Sequence, residues 1–131
     1  MLKKTFLALC ATAIFATSNA YAVCVNFSLT RSGSNVYPQG ETVVYGPYNS
    51  SCSGTQSFTF QDLSSRFVTN NIKHIFEKQN GSTWTVISST TSLGGSTLSF
   101  YAPTAGTYRY RIENVGTTPI ANWTATGKIT L

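Results

Sequence analysis

The stretch that decides the fold is FYAPTAGTYRYRIENV, residues 100–115. Its apolar residues stand at alternate positions: Tyr108, Tyr110 and Ile112. Polar residues lie between and beside them: Thr107, Arg109, Arg111 and Glu113. A period of two is typical of a strand with one buried and one solvent-facing side, and Gly106 and Gly116 mark turns at its two ends. We therefore predict a strand here, with the rest of the chain laid against it as further strands.

Residues 1–22 have the pattern of a cleaved secretory signal peptide. Lys3 and Lys4 form a basic start, residues 6–15 are apolar, and residues 20–22 read AYA, a small-residue cleavage site. The apolar run has about 10 residues, half of the roughly 20 that cross a bilayer, so a membrane anchor is the less favoured alternative. We predict one domain, residues 23–131, exported to the periplasm, the cell surface or the medium, with no membrane-spanning segment left after cleavage.

The composition points away from nucleic acid as a partner. The formal net charge is +5, and loss of Lys3 and Lys4 with the signal peptide leaves +3. The remaining basic residues are spread along the chain, whereas a nucleic-acid-binding surface needs them clustered. Charged residues make up only 10% of the chain, so uncharged polar residues must cover most of the surface.

Two cysteines remain after cleavage, Cys24 and Cys52. An exported chain meets an oxidising compartment, which favours one disulfide over two free thiols or a metal-binding pair. Such a bond would close a loop of about 29 residues and contribute about 3–4 kcal/mol in the chain-entropy model. With one histidine in the chain, a zinc site lacks ligands. We expect neither a metal nor a cofactor.

The pattern along the chain predicts about eight short strands with turn residues at roughly 10-residue spacing and no convincing helical period. The predicted fold is an all-β, antiparallel two-sheet sandwich, either jelly-roll or immunoglobulin-like. The first strand should turn its apolar residues inward, Val25 and Phe27 among them, and Asn80-Gly81 should close a hairpin. We expect a turn at residues 31–35, a long loop at 46–54, an irregular crossover or one helical turn near Leu63, Phe67 and Val68, and a linker at 88–96.

The last 60 or so residues are similar to the closing half of bacterial secreted β-sandwich modules. The similarity is carried by KQNGSTWTVISS from residue 78, AGTYRYRIEN from residue 105 and TGKITL from residue 126. Pre-peptidase C-terminal domains and jelly-roll carbohydrate-binding modules both have a small-Gly-Thr-Tyr strand before a last strand. The resemblance implies a role in binding or localisation. Calcium is not implied, because the mature chain has only four acidic residues: Glu41, Asp62, Glu77 and Glu113.

The residues that could carry catalysis are few, and we expect no enzymatic activity. His74 is the only histidine, and its alternation with Ile72 and Phe76 predicts a buried, neutral, hydrogen-bonded side chain. No serine lies in a G-x-S-x-G motif. For Glu113 the pattern predicts a cross-strand ion pair with Arg111 rather than a role as general acid or base.

Aromatic side chains make binding the better-supported chemistry, because rings stack on sugar faces and dominate protein interfaces. We predict that Tyr45 and Tyr48 are exposed in a loop held by the disulfide. Trp84 is either a ligand contact or, like Trp123, a core residue. Arg109 and Arg111 form either a basic strip for an anionic polymer or an ordinary solvated face. The candidate ligand-binding residues are thus Tyr45, Tyr48, Trp84, Arg109 and Arg111.

Three hypotheses for function follow from these features. The first is a non-enzymatic binding module that recognises carbohydrate or another protein at the cell surface or in the periplasm. The second is a structural subunit of a fibre or matrix, with the first or last strand pairing between copies. The third is a periplasmic inhibitor or immunity protein.

Overall fold

The computed structural model describes residues 24–64 and 70–131, and eight strands account for most of them. Their bounds are β1 Asn26–Val36, β2 Glu41–Ser50, β3 Gly54–Asp62, β4 Asn71–Asn80, β5 Thr83–Leu93, β6 Ser96–Ala102, β7 Gly106–Asn114 and β8 Ile120–Thr130. The helical turn predicted near Phe67 and Val68 falls outside the described residues. Within them, no helix is long and apolar enough to cross a membrane.

The strands form two four-stranded antiparallel sheets. Sheet 1 has the order β1-β8-β3-β6, and sheet 2 has the order β2-β7-β4-β5. The pairs β4–β5, β3–β6, β2–β7 and β1–β8 are nested, so the chain folds as one long hairpin wrapped into two layers. Eight strands in this order make a jelly roll, which decides between the two predicted sandwich topologies.

The core lies between the sheets, and β7 is central to it. β7 pairs with β2 on one side and β4 on the other, and the rings of Tyr108 and Tyr110 are fully buried together with Ile112. The predicted alternation in this stretch is confirmed. Rings from the other strands pack against these residues: Phe58, Phe60, Phe76, Phe100 and Trp123.

His74 is buried in this core, as predicted. Its Nδ1 lies 2.6 Å from the hydroxyl oxygen of Tyr110 and its Nε2 lies 2.7 Å from that of Ser92. Burial disfavours the charged imidazolium and lowers the pKa of His74 to about 4. The side chain is therefore neutral at physiological pH and is held by two hydroxyl groups.

The predicted disulfide joins Cys24 to Cys52, with the two Cα atoms 5.8 Å apart. It fixes the residues before β1 to the short connection between β2 and β3. The two ends of the described domain are also joined to each other, because the backbone N–H groups of Val25 and Leu131 each donate to the carbonyl of the other residue. The disulfide and this pair hold the start of β1 in place.

Three local predictions are wrong for a shared reason. Residues 31–35 lie within β1, residues 46–50 lie within β2, and residues 88–93 lie within β5. Each of these runs has turn-like composition but pairs with another strand: with β8 or β7, which are distant in sequence, or with the hairpin neighbour β4. Backbone pairing therefore overrides the local preference for a turn.

The ends of the predicted elements show one confirmation and one correction. The Asn80-Gly81 turn closes the β4–β5 hairpin as expected, with Gly81 at a φ of 63°. Val25 and Phe27, which are predicted to face inward, are about half exposed. Phe27 is opposite the buried Ile129 and so does point to the inner side of sheet 1. The two residues lie just before and at the start of β1, an edge strand with a neighbour on one side only, so the core does not cover them.

Candidate ligand-binding cleft

A cleft of about 530 Å³ opens where the edge strands of the two sheets, β1 and β2, lie side by side. Arg31 is opposite Ala125 in the β1–β8 pair, and Gly33 is opposite Trp123. Opposed residues share a side of the sheet, so Arg31 and Gly33 point to the same side as the buried Ala125 and Trp123. The cleft is therefore an opening between the two layers.

β2 forms the other wall of the cleft, and its backbone is irregular there. The pairing of β2 with β7 shifts register between Val43 and Tyr45 and again between Tyr45 and Tyr48. Gly46 has a φ of 110°, and a Cβ atom at this position would lie 2.8 Å from the carbonyl oxygen of Tyr108. Only glycine fits this backbone without strain. These two shifts place Tyr45 at the cleft.

Tyr45 and Arg31 contact each other across the cleft. The Arg31 guanidinium carbon lies 5.0 Å from the centroid of the Tyr45 ring, within the range of a cation–π contact. Arg31 Nη1 donates to the carbonyl oxygen of Thr30 at 2.9 Å. Tyr45 is half-buried, with its ring centroid 5.1 Å from that of Tyr48. Both side chains are thus partly fixed in the absence of a ligand.

Trp123 lines the inner part of the cleft. Its ring stacks on Phe60 at a centroid distance of 5.5 Å, and only 4% of the residue is exposed. The indole lies against Gly33, where a Cβ atom would come within 2.7 Å of Nε1. Within the part of the chain that the structure describes, Nε1 has no hydrogen-bond partner.

The rest of the described cleft lining mixes polar and apolar residues and carries no negative charge. Thr42 on β2 is opposite the buried Ile112, so its side chain points inward. Ser32 and Ser34 alternate with Arg31 and Gly33 on β1 and turn their side chains to the outer side of sheet 1. Among the described residues that line the cleft, Arg31 is the one charged side chain and none is acidic. An aromatic ring, a guanidinium group and a threonine hydroxyl can bind a ligand rich in oxygen atoms.

Tyr48 does not reach the cleft surface, so its predicted exposure is wrong. The residue is 8% exposed and belongs to the core, and its hydroxyl donates to Gln56 Oε1 at 3.3 Å. Burial raises the pKa of Tyr48 well above its ordinary value, and the neighbouring Tyr45 and Tyr108 add to the shift. The ring turns inward because Tyr48 pairs directly with the buried Tyr108 on β7.

Arg109 and Arg111 lie on the outer face of sheet 2, but they do not form a free basic strip. Glu77 accepts hydrogen bonds from Arg109 Nε at 2.6 Å and from Arg111 Nη2 at 3.0 Å. Arg111 also pairs with Glu41 at 2.8 Å and with Glu113 at 2.6 Å. Two guanidinium groups thus meet three carboxylates. The predicted Arg111–Glu113 pair forms along one strand, and the cross-strand partners are Glu77 and Glu41.

Glu77 is the centre of this network, and its side chain is only 4% exposed. Burial alone would raise the pKa of Glu77, but the hydrogen bonds from Arg111 and Arg109, with their charges, lower it below the ordinary range. Burial would lower the pKa of Arg111, but its hydrogen bonds to Glu77 and Glu113, with the charges of Glu77 and Glu41, raise it. Glu77 and Arg111 are therefore both ionised at neutral pH.

Trp84 lies on the same outer face, in contrast to Trp123 in the core. The guanidinium carbon of Arg109 is 4.2 Å from the Trp84 ring centroid, and Trp84 is half-buried. Val43, which lines the cleft, pairs with Arg111 on β7. The outer face of sheet 2 thus adjoins the cleft at β2, and the predicted ligand residues fall in three places: cleft, outer face and core.

Sequence reasoning missed two of the cleft residues, Arg31 and Gly33. Both lie in the run RSGSN, residues 31–35, which has the composition of a turn. The signal that identifies them is their position opposite Ala125 and Trp123 on β8. That position depends on a pairing between strands some ninety residues apart in the chain.

Solved structures with a similar fold come from proteins of different descriptions. The Yersinia pseudotuberculosis-derived mitogen aligns with a TM-score of 0.59 and 15% identity over 80% of this chain and 87% of its own. A protein of Bacillus endospore appendages, described as disulfide-linked pili, aligns with a TM-score of 0.51 and 18% identity over 97% of this chain and 99% of its own. The structure named PirA aligns with a TM-score of 0.49 and 12% identity over 85% of this chain and 99% of its own.

At these identities the similarity shows the fold alone. No protein-family model matches the chain, and no curated protein matches it in sequence. The β-sandwich expected from the resemblance to secreted modules is thus shown, whereas membership of the pre-peptidase or carbohydrate-binding families is not.

Proposed function

We propose that the protein is a small exported module that binds carbohydrate, without catalysis, in the cleft between β1 and β2. The observation that carries this proposal is the Arg31–Tyr45 pair, which forms the wall of a cleft whose lining among the described residues has no acidic side chain. The predicted signal peptide supports export, and the Cys24–Cys52 disulfide is of the kind that persists in oxidising compartments.

The chemistry of the cleft suits a sugar ring. Aromatic side chains offer an apolar face of large area at little cost in side-chain entropy. A guanidinium group presents several N–H donors in a fixed plane and can contact two neighbouring oxygens at once. A threonine hydroxyl can both donate and accept. The volume of about 530 Å³ falls within the range of small-molecule sites, about 300–1,000 Å³.

The positions of the acidic residues and of the histidine support binding rather than hydrolysis. Most glycoside hydrolases use two carboxyl groups that flank the scissile bond. Glu41, Glu77 and Glu113 are paired with arginines on the outer face of sheet 2. His74, the one histidine, is buried and neutral in the core. We therefore propose no catalytic role for these groups.

A glycan array probed with the purified protein tests this function. Tyr45→Ala should abolish the signal for the bound glycans, because it removes the ring from the cleft. Tyr101→Ala is a matched control, since Tyr101 is an exposed tyrosine (60%) on β6, at the opposite side of the sandwich. The alternative ligand within this hypothesis is a protein. A protein ligand would give no signal on the array but would be captured from surface extracts in a Tyr45-dependent way.

A second candidate function is a subunit of an extracellular fibre. It is supported by the similarity in fold to the endospore-appendage protein, which aligns over nearly the whole of both chains. The prediction that the last strand could pair between copies is wrong, because β8 lies between β1 and β3 in sheet 1 and has no free edge. Cys24 and Cys52 bond to each other, so neither is available to link copies in this state. No geometric feature of residues 24–64 and 70–131 favours the inhibitor hypothesis over these two.

A further inference from the structure

The edge strand β5 offers a long unpaired backbone. It is the last strand of sheet 2 and pairs with β4 alone among the described residues. Its 11 residues extend over about 37 Å at the usual rise of about 3.4 Å per residue. The N–H and C=O groups on the far side of such a strand readily accept another strand unless something blocks them.

Charged residues, prolines and irregular backbone hinder the pairing of edge strands. The two edge strands at the cleft, β1 and β2, have such features, whereas β5 has almost none. β1 carries Arg31 and the positive-φ residue Asn35, and β2 carries Glu41, the Gly46-Pro47 step and two register shifts. β5 reads TWTVISSTTSL, with no charge, no proline and no glycine. Its single register shift falls opposite Phe76 and Glu77, which leaves residues 88–93 regular.

Two apolar side chains of β5 are exposed. Val86 is 52% exposed and Leu93 62% exposed on this strand. The edge strand of sheet 1 on the same side of the sandwich, β6, reads STLSFYA and carries no charge either. Among the described residues, the two edge strands on this side of the domain, β5 and β6, therefore carry no charge of the kind that keeps edges apart, and the nearest charge at residues 88–93 is Lys73 on β4, opposite Thr91.

We propose that β5 pairs with β5 of a second copy of this chain, antiparallel and about a two-fold axis. The pairing would join the two copies of sheet 2 into one eight-stranded sheet. A two-fold contact pairs the same strand with itself, so a charge near the axis would lie close to the like charge of the other copy. β5 has none.

The side chains of β5 make the contact self-complementary when the two-fold axis lies near Thr90. Residues 88–92 read SSTTS, so a second copy places hydroxyl groups opposite hydroxyl groups, and such cross-strand pairs are favourable. Pairing of residues 88–93 alone forms roughly six backbone hydrogen bonds, within the range of about 10 ± 5 for a specific interface. The interface is small, so the dimer should be reversible. The clefts, at the β1–β2 side, remain open in it.

Sedimentation velocity of the purified protein, from nanomolar to high micromolar concentration, tests the proposal. The wild type should pass from monomer to dimer, and Thr91→Lys should weaken dimerisation roughly tenfold or more, because the two lysines then lie close together on either side of the axis. Ser28→Lys is the matched control, since Ser28 is exposed on the β1 edge, and it should leave the dimer unchanged.

Hydrogen exchange provides the second readout. Amides of residues 83–93 should exchange more slowly at high than at low concentration in the wild type, and this difference should vanish in Thr91→Lys. Three results would overturn the proposal: a monomer at every concentration, a dimer indifferent to Thr91→Lys, or open-ended polymers, because a two-fold contact closes on itself. None of these results bears on carbohydrate binding in the cleft, so the two proposals fail separately.

Discussion

Gly33 and Trp123 face each other in the β1–β8 pair, and the indole of Trp123 fills the space that a side chain at position 33 would occupy. A Cβ atom on Gly33 would lie 2.7 Å from the indole nitrogen. Because both residues line the cleft, this contact links the packing of the core directly to the shape of the candidate site.

Replacement of Gly33 by valine should therefore destabilise the domain and deform the cleft. Valine is a better strand former than glycine, so without the contact the substitution should be neutral or stabilising. With it, we expect a loss of about 1–3 kcal/mol in the free energy of unfolding, the usual cost of overpacking. Gly54→Ala is the control, because a Cβ there meets its nearest neighbour at an ordinary 3.4 Å. Equal urea midpoints for the two variants would contradict the account.

Stability should fall as the pH falls from 6.5 toward 4, in part through His74. The native pKa is about 4 and the ordinary value is 6.5, so between these pH values the unfolded chain takes up a proton that the native protein does not. Above pH 6.5 the contribution is constant, and across the window it amounts to about 3 kcal/mol. His74→Gln should be less stable overall but should show a smaller slope in urea unfolding between pH 4 and 6.5. An unchanged slope would refute this assignment.

Removal of the central carboxylate of the outer-face network should cost far more than removal of a peripheral one. Glu77→Gln leaves Arg109 and the largely buried Arg111 short of a counter-charge, and we expect a loss of about 3 kcal/mol. The side chain of Glu41 is 64% exposed, so Glu41→Gln should change stability by less than about 1 kcal/mol. Chemical denaturation of both variants at neutral pH measures the difference. Similar losses in the free energy of unfolding would contradict the claim that the buried Glu77 contributes more to stability than the exposed Glu41.

Loss of the disulfide should lower the free energy of unfolding by about 3–4 kcal/mol, since Cys24 and Cys52 close a loop across 28 positions. The double variant Cys24→Ser, Cys52→Ser and the reduced wild type should have the same urea midpoint. If reduction had no effect on the wild type, the bond would not contribute to stability as described.

The sequence was sufficient to predict the sandwich because its central strands alternate cleanly. In β7 and β3 most inward positions hold a ring or an aliphatic residue, as at Tyr108, Tyr110 and Phe58. The buried exceptions are Gln56 and Asn114. The edge strands could not be read in this way. Residues 31–35 and 88–93 are rich in serine, threonine, glycine and asparagine, and they are extended because β8 and β4 pair with them.

The candidate site was predicted only in part for the same reason. Tyr45 was identified from its ring and its neighbours Gly46 and Pro47, and it lies at the cleft. Tyr48, three positions later, was assigned to the same loop but is buried, because β2 continues through Gly46-Pro47 and returns the ring to the core opposite Tyr108. After two register shifts, the side of the sheet to which a residue points is set by its pairing with the neighbouring strand. This side cannot be predicted from the sequence of one strand alone.

The most direct test of the central claim is isothermal titration of the best array glycan into three proteins: wild type, Tyr45→Ala and Tyr101→Ala. If the sugar binds in the cleft between β1 and β2, Tyr45→Ala should weaken binding by roughly tenfold or more, as expected for an aromatic contact at the centre of a site. Tyr101→Ala should bind as the wild type does. Equal affinity of wild type and Tyr45→Ala, with both proteins folded, would contradict the proposal.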